Sequence, residues 1–120
     1  MSNFHISLPC QSIEITKQFY VNILGFISGR EEYNWIDINV CGNQVTFAER
    51  PDFIISTKYY YFDNKQLPIF HLGIVLNKED WNKQLTIHKD KDYFRIDQSE
   101  FMMNEIGEHN SFFIKDPNGY

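Results

Sequence analysis

Phe4-His5-Ile6 returns 66 residues later as Phe70-His71-Leu72, and at the same offset Lys17-Gln18-Phe19 returns as Lys83-Gln84-Leu85. Between these pieces Leu8 answers to Ile74 and Ile15 to Trp81. Short gapped matches arise by chance, so identity alone carries little. Their force comes from a shared structural grammar, because a repeated chain must be read as copies of one unit before anything else. At 120 residues the two copies fill one domain with one core.

Each copy opens on alternation. Phe4, Ile6 and Leu8 alternate with His5, Ser7 and Pro9, and Leu72, Ile74 and Leu76 with His71, Gly73 and Val75. Period-2 patterning predicts a strand whose apolar residues share one face while the histidine takes the other. A helix follows each strand. Ser12 suits an N-cap, Ile15, Phe19 and Ile23 step by four, and Gly25 suits the position just past the end. In the second copy Asn77 caps, Glu79 and Asp80 fit the first turn, and Trp81 and Leu85 form the apolar stripe.

Strands are then expected over 26–31, 35–41 and 44–49, the last two joined at Gly42-Asn43, and again over 93–96 and 111–115 before the turn Asp116-Pro117-Asn118-Gly119. Residues 51–68 read as a connector between module one, about 1–50, and module two, 69–120. Tyr59-Tyr60-Tyr61-Phe62 within it suits a short strand or a flap.

Composition narrows the partners. Eleven Lys and Arg stand against 16 Asp and Glu, a net charge of −5, which disfavours nucleic acid held by counterion release. No run nears the roughly 18 apolar residues that span a bilayer. The start Met1-Ser2-Asn3-Phe4-His5 lacks a basic segment followed by an apolar one, and two cysteines make no disulfide framework, so a cytoplasmic protein is expected. Aromatics are in excess, with 11 Phe, 7 Tyr and 2 Trp. That excess suits a heavy core or a pocket for a flat or apolar small molecule.

Two βαβββ copies with a histidine on each first strand resemble the vicinal oxygen chelate superfamily of glyoxalase I, bleomycin-resistance proteins and extradiol dioxygenases. The resemblance runs from about Phe4 to Tyr120. It is carried by Phe4-His5-Ile6, by Phe19-Tyr20 with Leu24-Gly25-Phe26, and by Trp35-Ile36-Asp37 before Gly42-Asn43-Gln44. Phe70-His71-Leu72-Gly73 and Phe112 to Gly119 complete it. It implies an α+β fold in which two tandem βαβββ modules form an open, barrel-like mixed sheet with the helices outside. It also implies that His5 and His71 hold a divalent metal (Fe, Mn, Zn or Ni), where neutral imidazoles and a carboxylate leave positions for substrate oxygens.

The family's third ligand is a carboxylate four residues after the glycine of the Asp-Pro-x-Gly turn, and here that glycine is Gly119 and the sequence stops at Tyr120. The last strand of the second module and its ligand are absent from the sequence. A chain cut short, a dimer covering the open edge, and a relative that has lost its metal are the open readings. The matching place in the first copy is Thr46, a poor metal ligand, with Gln44 and Ala48 on the same face and Glu49 on the other. Glu105 and Glu108 are alternative carboxylates, more simply solvated loop residues.

Trp35, Asp37 and Asn39 share one face. If that face lines a cavity, Trp35 stacks a ligand and Asp37 orients it, with Gln44 and Thr46 as further contacts; a core or dimer role for Trp35 is the plain alternative. His88 reads as a surface residue at a helix end, His109 as a solvated hairpin residue or a base, and Cys10 and Cys41 as buried thiols.

The expectation is therefore a homodimer acting on a small oxygen-chelating molecule with metal-dependent dioxygenase or glyoxalase-like lyase chemistry. The competing expectation is a non-catalytic drug- or metabolite-binding protein of the bleomycin-resistance type.

Overall fold

The computed structural model describes residues 2–101 and 109–120, without the side chains of 96–101 and 109. The chain divides into two compact units. One comprises Met1–Ile55 with Asp116–Gly119, the other Ser56–Lys115 with Tyr120.

In the first unit β1 (His5–Cys10) leads into α1 (Ile13–Lys17), which widens into a π-helical stretch over Gln18–Ile23. The N-terminal N–H groups of α1, which have no partner within the helix, are taken up by side chains. Ile13 N donates to Glu49 Oε2 at 2.9 Å and Ile15 N to Ser12 Oγ at 3.3 Å. Gly25, at φ +81°, ends the helical segment where only glycine turns freely.

The buried residues of this segment are Ile13, Thr16 and Phe19, whereas Ile15 and Ile23 are 57% and 44% exposed. The expected every-fourth-residue stripe is thus displaced. Ile13 and Thr16 set the helix register from its start, and the wide π turn then brings both Phe19 and Tyr20 over the sheet. The Tyr20 and Phe47 rings lie 4.9 Å apart.

Three further strands complete a mixed sheet: β2 (Ile27–Glu32), β3 (Trp35–Val40) and β4 (Asn43–Glu49), in the order β1-β4-β3-β2. β1 runs parallel to β4 and the other pairs are antiparallel. Leu8, Cys10, Ile36, Ile38, Val45 and Phe47 fall on the α1 side and are buried. Phe47, Ile36 and Ile38 are fully buried, each contributing about 1.5–3 kcal/mol of apolar transfer energy. The β3–β4 turn is centred one residue earlier than expected. Cys41 (φ +53°) and Gly42 (φ +87°) take its two positive-φ places, which leaves Cys41 exposed rather than buried.

The Asp116-Pro117-Asn118-Gly119 turn belongs to this unit, where it joins β1 to α1. Gln11 N donates to Asn118 Oδ1 at 2.9 Å, Asn118 Nδ2 to Thr16 Oγ1 at 3.1 Å, and the Tyr20 hydroxyl to Asp116 Oδ2 at 2.8 Å. Asp116 and Asn118 are buried, and these bonds compensate their lost hydration.

The second unit holds a hairpin of β5 (Tyr59–Phe62) and β6 (Lys65–Pro68), then α2 (Lys78–His88), β7 (Phe94–Phe101) and β8 (His109–Ile114). The hairpin lies inside the segment read as a connector and turns at Asp63 and Asn64, both at positive φ. Asn77 caps α2, its Oδ1 accepting from Asp80 N at 2.8 Å. Trp81 and Leu85 are half-buried as the stripe predicts, and the Trp81 and Phe112 rings meet at 5.6 Å.

Residues 71–77, expected to open with a strand, have no regular structure. Phe70, Leu72 and Ile74 are 42–49% exposed and Val75 almost wholly so. Alternation makes a strand only where a neighbour accepts its backbone groups. β1 has β4 for that, while no described strand pairs with 71–77.

Candidate functional site

The four-stranded sheet buries one face under α1, so any chemistry of the first unit falls to the opposite, helix-free face. Strand register decides what stands there. His5 pairs with Gln44 and Ser7 with Thr46 across β1 and β4. Across β3 and β4 Trp35 pairs with Ala48, Asp37 with Thr46 and Asn39 with Gln44. His5, Trp35, Asp37, Gln44 and Thr46 therefore share one surface, with His5 and Gln44 exposed and Asp37 only 6% exposed.

Sequence patterning misses Arg30. Simple alternation from Ile27 would send it to the α1 side. Between Ser28 and Glu31 the β2–β3 register shifts, so that Gly29 and Arg30 together oppose Asp37. A bulge of this kind re-aims the side chains that follow it. Glu31 is turned to the helix side, where Lys17 Nζ meets its Oε2 at 2.9 Å, and Arg30 is turned to the helix-free face. A Cβ at Gly29 would press to 3.3 Å from Asp37 Cβ, so the bulge packs most easily with glycine there.

A polar row crosses this face. Thr46 Oγ1 donates to Asp37 Oδ1 at 2.6 Å, Arg30 Nε donates to Asp37 Oδ2 at 3.0 Å, and Gln44 Nε2 donates to Thr46 Oγ1 at 3.4 Å. The Arg30 guanidinium carbon lies 5.5 Å from the Trp35 ring centroid, within cation–π range. Burial works to raise the Asp37 pKa, but the hydrogen bonds from Thr46 and Arg30 and the charge of Arg30 outweigh it and hold the carboxyl below its ordinary value.

The two histidines share one local feature. His5 Nδ1 lies 3.2 Å from Gln44 O, and His71 Nδ1 lies 2.8 Å from Pro68 O. A carbonyl only accepts, so Nδ1 donates in each, and in the neutral ring the lone pair is left on Nε2. His71 belongs to the second unit, outside regular structure, with its ring edge-on to Phe113 at 5.2 Å.

No group of three or more His, Cys, Asp or Glu side chains among the described residues could hold a metal. The helix-free face offers one imidazole, and its carboxylate is already held by Thr46 and Arg30. Taken alone, this face supplies too few free donors for a metal centre. Glu105 and Glu108 lie outside the described residues, as does the side chain of His109.

His88 is buried, not a surface residue, at 4% exposed. Its position seven residues after Trp81 places it on the inward stripe of α2. The Tyr93 hydroxyl donates to its Nδ1 at 2.5 Å and its Nε2 to Gln84 Oε1 at 3.1 Å. A hollow of about 460 Å³ lies on the α1 side of the first unit, lined by Glu14, Lys17, Glu31 and Tyr33 among others. Long charged side chains line it and the Lys17–Glu31 ion pair stands in its wall, so it is a crevice between solvated groups.

Comparison with solved structures decides the architecture. The chain matches a glyoxalase/bleomycin resistance protein/dioxygenase from Alicyclobacillus acidocaldarius with a TM-score of 0.80 at 23% identity, over 98% of this chain and 85% of that one. The chain has the glyoxalase/bleomycin resistance protein/dioxygenase fold. An integron cassette protein from the mobile metagenome of the Halifax Harbour sewage outfall matches with a TM-score of 0.66 at 20% identity, over 99% of this chain and 92% of that one. A glyoxalase family protein from Enterococcus faecalis does so with a TM-score of 0.57 at 19% identity, over 98% and 91%. No protein-family model and no curated protein sequence matches the chain. Among the described residues no helix is long and apolar enough to cross a membrane.

Proposed function

We propose that this protein binds a small organic molecule on the helix-free face of its first sheet, as a non-catalytic member of the glyoxalase/bleomycin resistance/dioxygenase superfamily. The observation that carries this reading is the row Arg30–Asp37–Thr46–Gln44, held by hydrogen bonds beside Trp35. Polar groups fixed by neighbours and set beside an aromatic ring orient a small ligand with little loss of side-chain entropy. In this reading the protein works as a homodimer, and free Cys10 and Cys41 suit the cytoplasm.

A thermal-shift screen of small organic compounds tests it. Compounds that stabilise the wild-type protein are expected to lose most of that effect in Thr46→Val and in Trp35→Ala. Stabilisation unchanged in both variants would overturn the reading.

The second reading is metal-dependent dioxygenase or lyase chemistry, with His5 and His71 as ligands. Its support is the shared Nδ1-to-carbonyl contact, the orientation that metal-bound histidines commonly adopt. It predicts about one equivalent of Fe, Mn, Zn or Ni in protein purified without a tag, lost in His5→Ala and in His71→Ala. Substoichiometric metal that neither substitution changes would sink it.

A further inference from the structure

We propose that Arg30 is the oxyanion clamp of this face, and that the bound molecule carries a carboxylate or phosphate group received by the outward edge of its guanidinium. The proposal rests on the small-molecule reading above and names the class of ligand.

A bulge and two contacts orient Arg30 before any ligand arrives. The Gly29-Arg30 bulge turns it onto the helix-free face opposite Asp37. Asp37 Oδ2 accepts from Nε at 3.0 Å, which occupies one edge of the guanidinium. The guanidinium carbon lies over the Trp35 ring, 5.5 Å from its centroid, so the aromatic face supports the cation.

Asp37 is itself fixed, since its second oxygen accepts from Thr46 at 2.6 Å and its side chain is 9% exposed. Two Nη groups remain on the far edge of a side chain that is 75% exposed. Among the described residues these groups make no further hydrogen bond or ion pair. A planar pair of donors with its orientation already set matches two oxygens of a carboxylate or phosphate.

A purely structural salt bridge would be a poor use of such a construction. An ion pair with one partner this exposed contributes roughly 0–1 kcal/mol. The bulge, the glycine and the aromatic support all act instead on where the guanidinium points. Across the same face, two and three strands away, Gln44 Nε2 and the His5 ring supply further polar groups. A carboxylate seated on Arg30 would place the rest of a small ligand along the β3–β4 surface toward them.

The test titrates sodium benzoate, inorganic phosphate and neutral benzamide into ¹⁵N-labelled protein. It follows the Arg30 side-chain resonances and the amides of His5, Asp37, Gln44 and Thr46. Benzoate or phosphate is expected to shift the Arg30 Nη signals and to bind at least tenfold more tightly than benzamide. Arg30→Lys, which keeps the charge and loses the fork, is expected to weaken that binding tenfold or more with an otherwise unchanged amide spectrum. A benzoate preference with phosphate inert assigns a carboxylate ligand, and the reverse assigns a phosphate. Benzamide moving the face as strongly as benzoate, with Arg30→Lys neutral, overturns the clamp and leaves the small-molecule reading standing. No shift on this face with any of the three probes overturns both.

Discussion

Asp37 carries more of the account than any other single residue, because it is buried, charged and bonded on both oxygens. Its folded pKa is depressed below the unfolded value, so folding favours the ionised form. That stabilisation is fully present above the unfolded carboxyl pKa of about 3.9 and is lost as pH falls through the folded value. Asp37→Asn is therefore expected to flatten the acid limb of the stability profile. Chemical denaturation at pH 7 and at successively lower pH checks this; an acid limb as steep in the variant as in the wild type contradicts it.

Gly119 makes a second residue-scale prediction. It sits at φ +100°, and a Cβ there would collide with the Ile55 side chain. Gly119→Ala is expected to cost about 1–3 kcal/mol by both strain and overlap. A melting temperature equal to that of the wild type would mean the turn is not held as described.

Among the elements, those that period 2 and turn chemistry define were legible in the sequence. β1 to β4 stand within a residue or two of expectation, because β1, β3 and β4 each have a clear apolar face and all four have a neighbour in the ladder. Leu72 to Leu76 carry the same alternation and form no strand, since pairing depends on a partner that local pattern does not supply. The bulge at Gly29-Arg30 was illegible for a related reason: one extra residue reverses the faces without changing composition. His5, Trp35, Asp37, Gln44 and Thr46 on the helix-free face were readable by register, while Arg30, which orders them, was not.

His88 was misread because a histidine near a helix end usually serves the surface, whereas here the α2 stripe carries it inward. Burial, reinforced by the charge of Lys91, holds its pKa below the ordinary value. Its folded pKa being depressed, the stability contributed is present above the unfolded value of about 6.5 and declines as pH falls below it. The second unit is expected to lose hydrogen-exchange protection in α2 between pH 7 and pH 5, and His88→Gln to reduce that loss. Protection in α2 independent of pH over this range would contradict the assignment.

At the scale of the whole molecule, a shared fold at 19–23% identity fixes architecture and leaves chemistry to the side chains of this chain. Those side chains give one sheet a face of bonded polar groups beside Trp35, with its carboxylate already paired to a cation. That arrangement leaves the carboxylate engaged by Thr46 and Arg30, and the aromatic excess of the sequence is divided between core rings such as Phe47 and half-buried ones such as Trp35. Amide chemical-shift mapping of whichever screened compound stabilises the protein most tests this directly. Shifts are expected to concentrate at Arg30, Asp37, Gln44, Thr46 and His5. Shifts concentrated at Ile13, Thr16 and Phe19 on the helix side, or in the second unit alone, would contradict it.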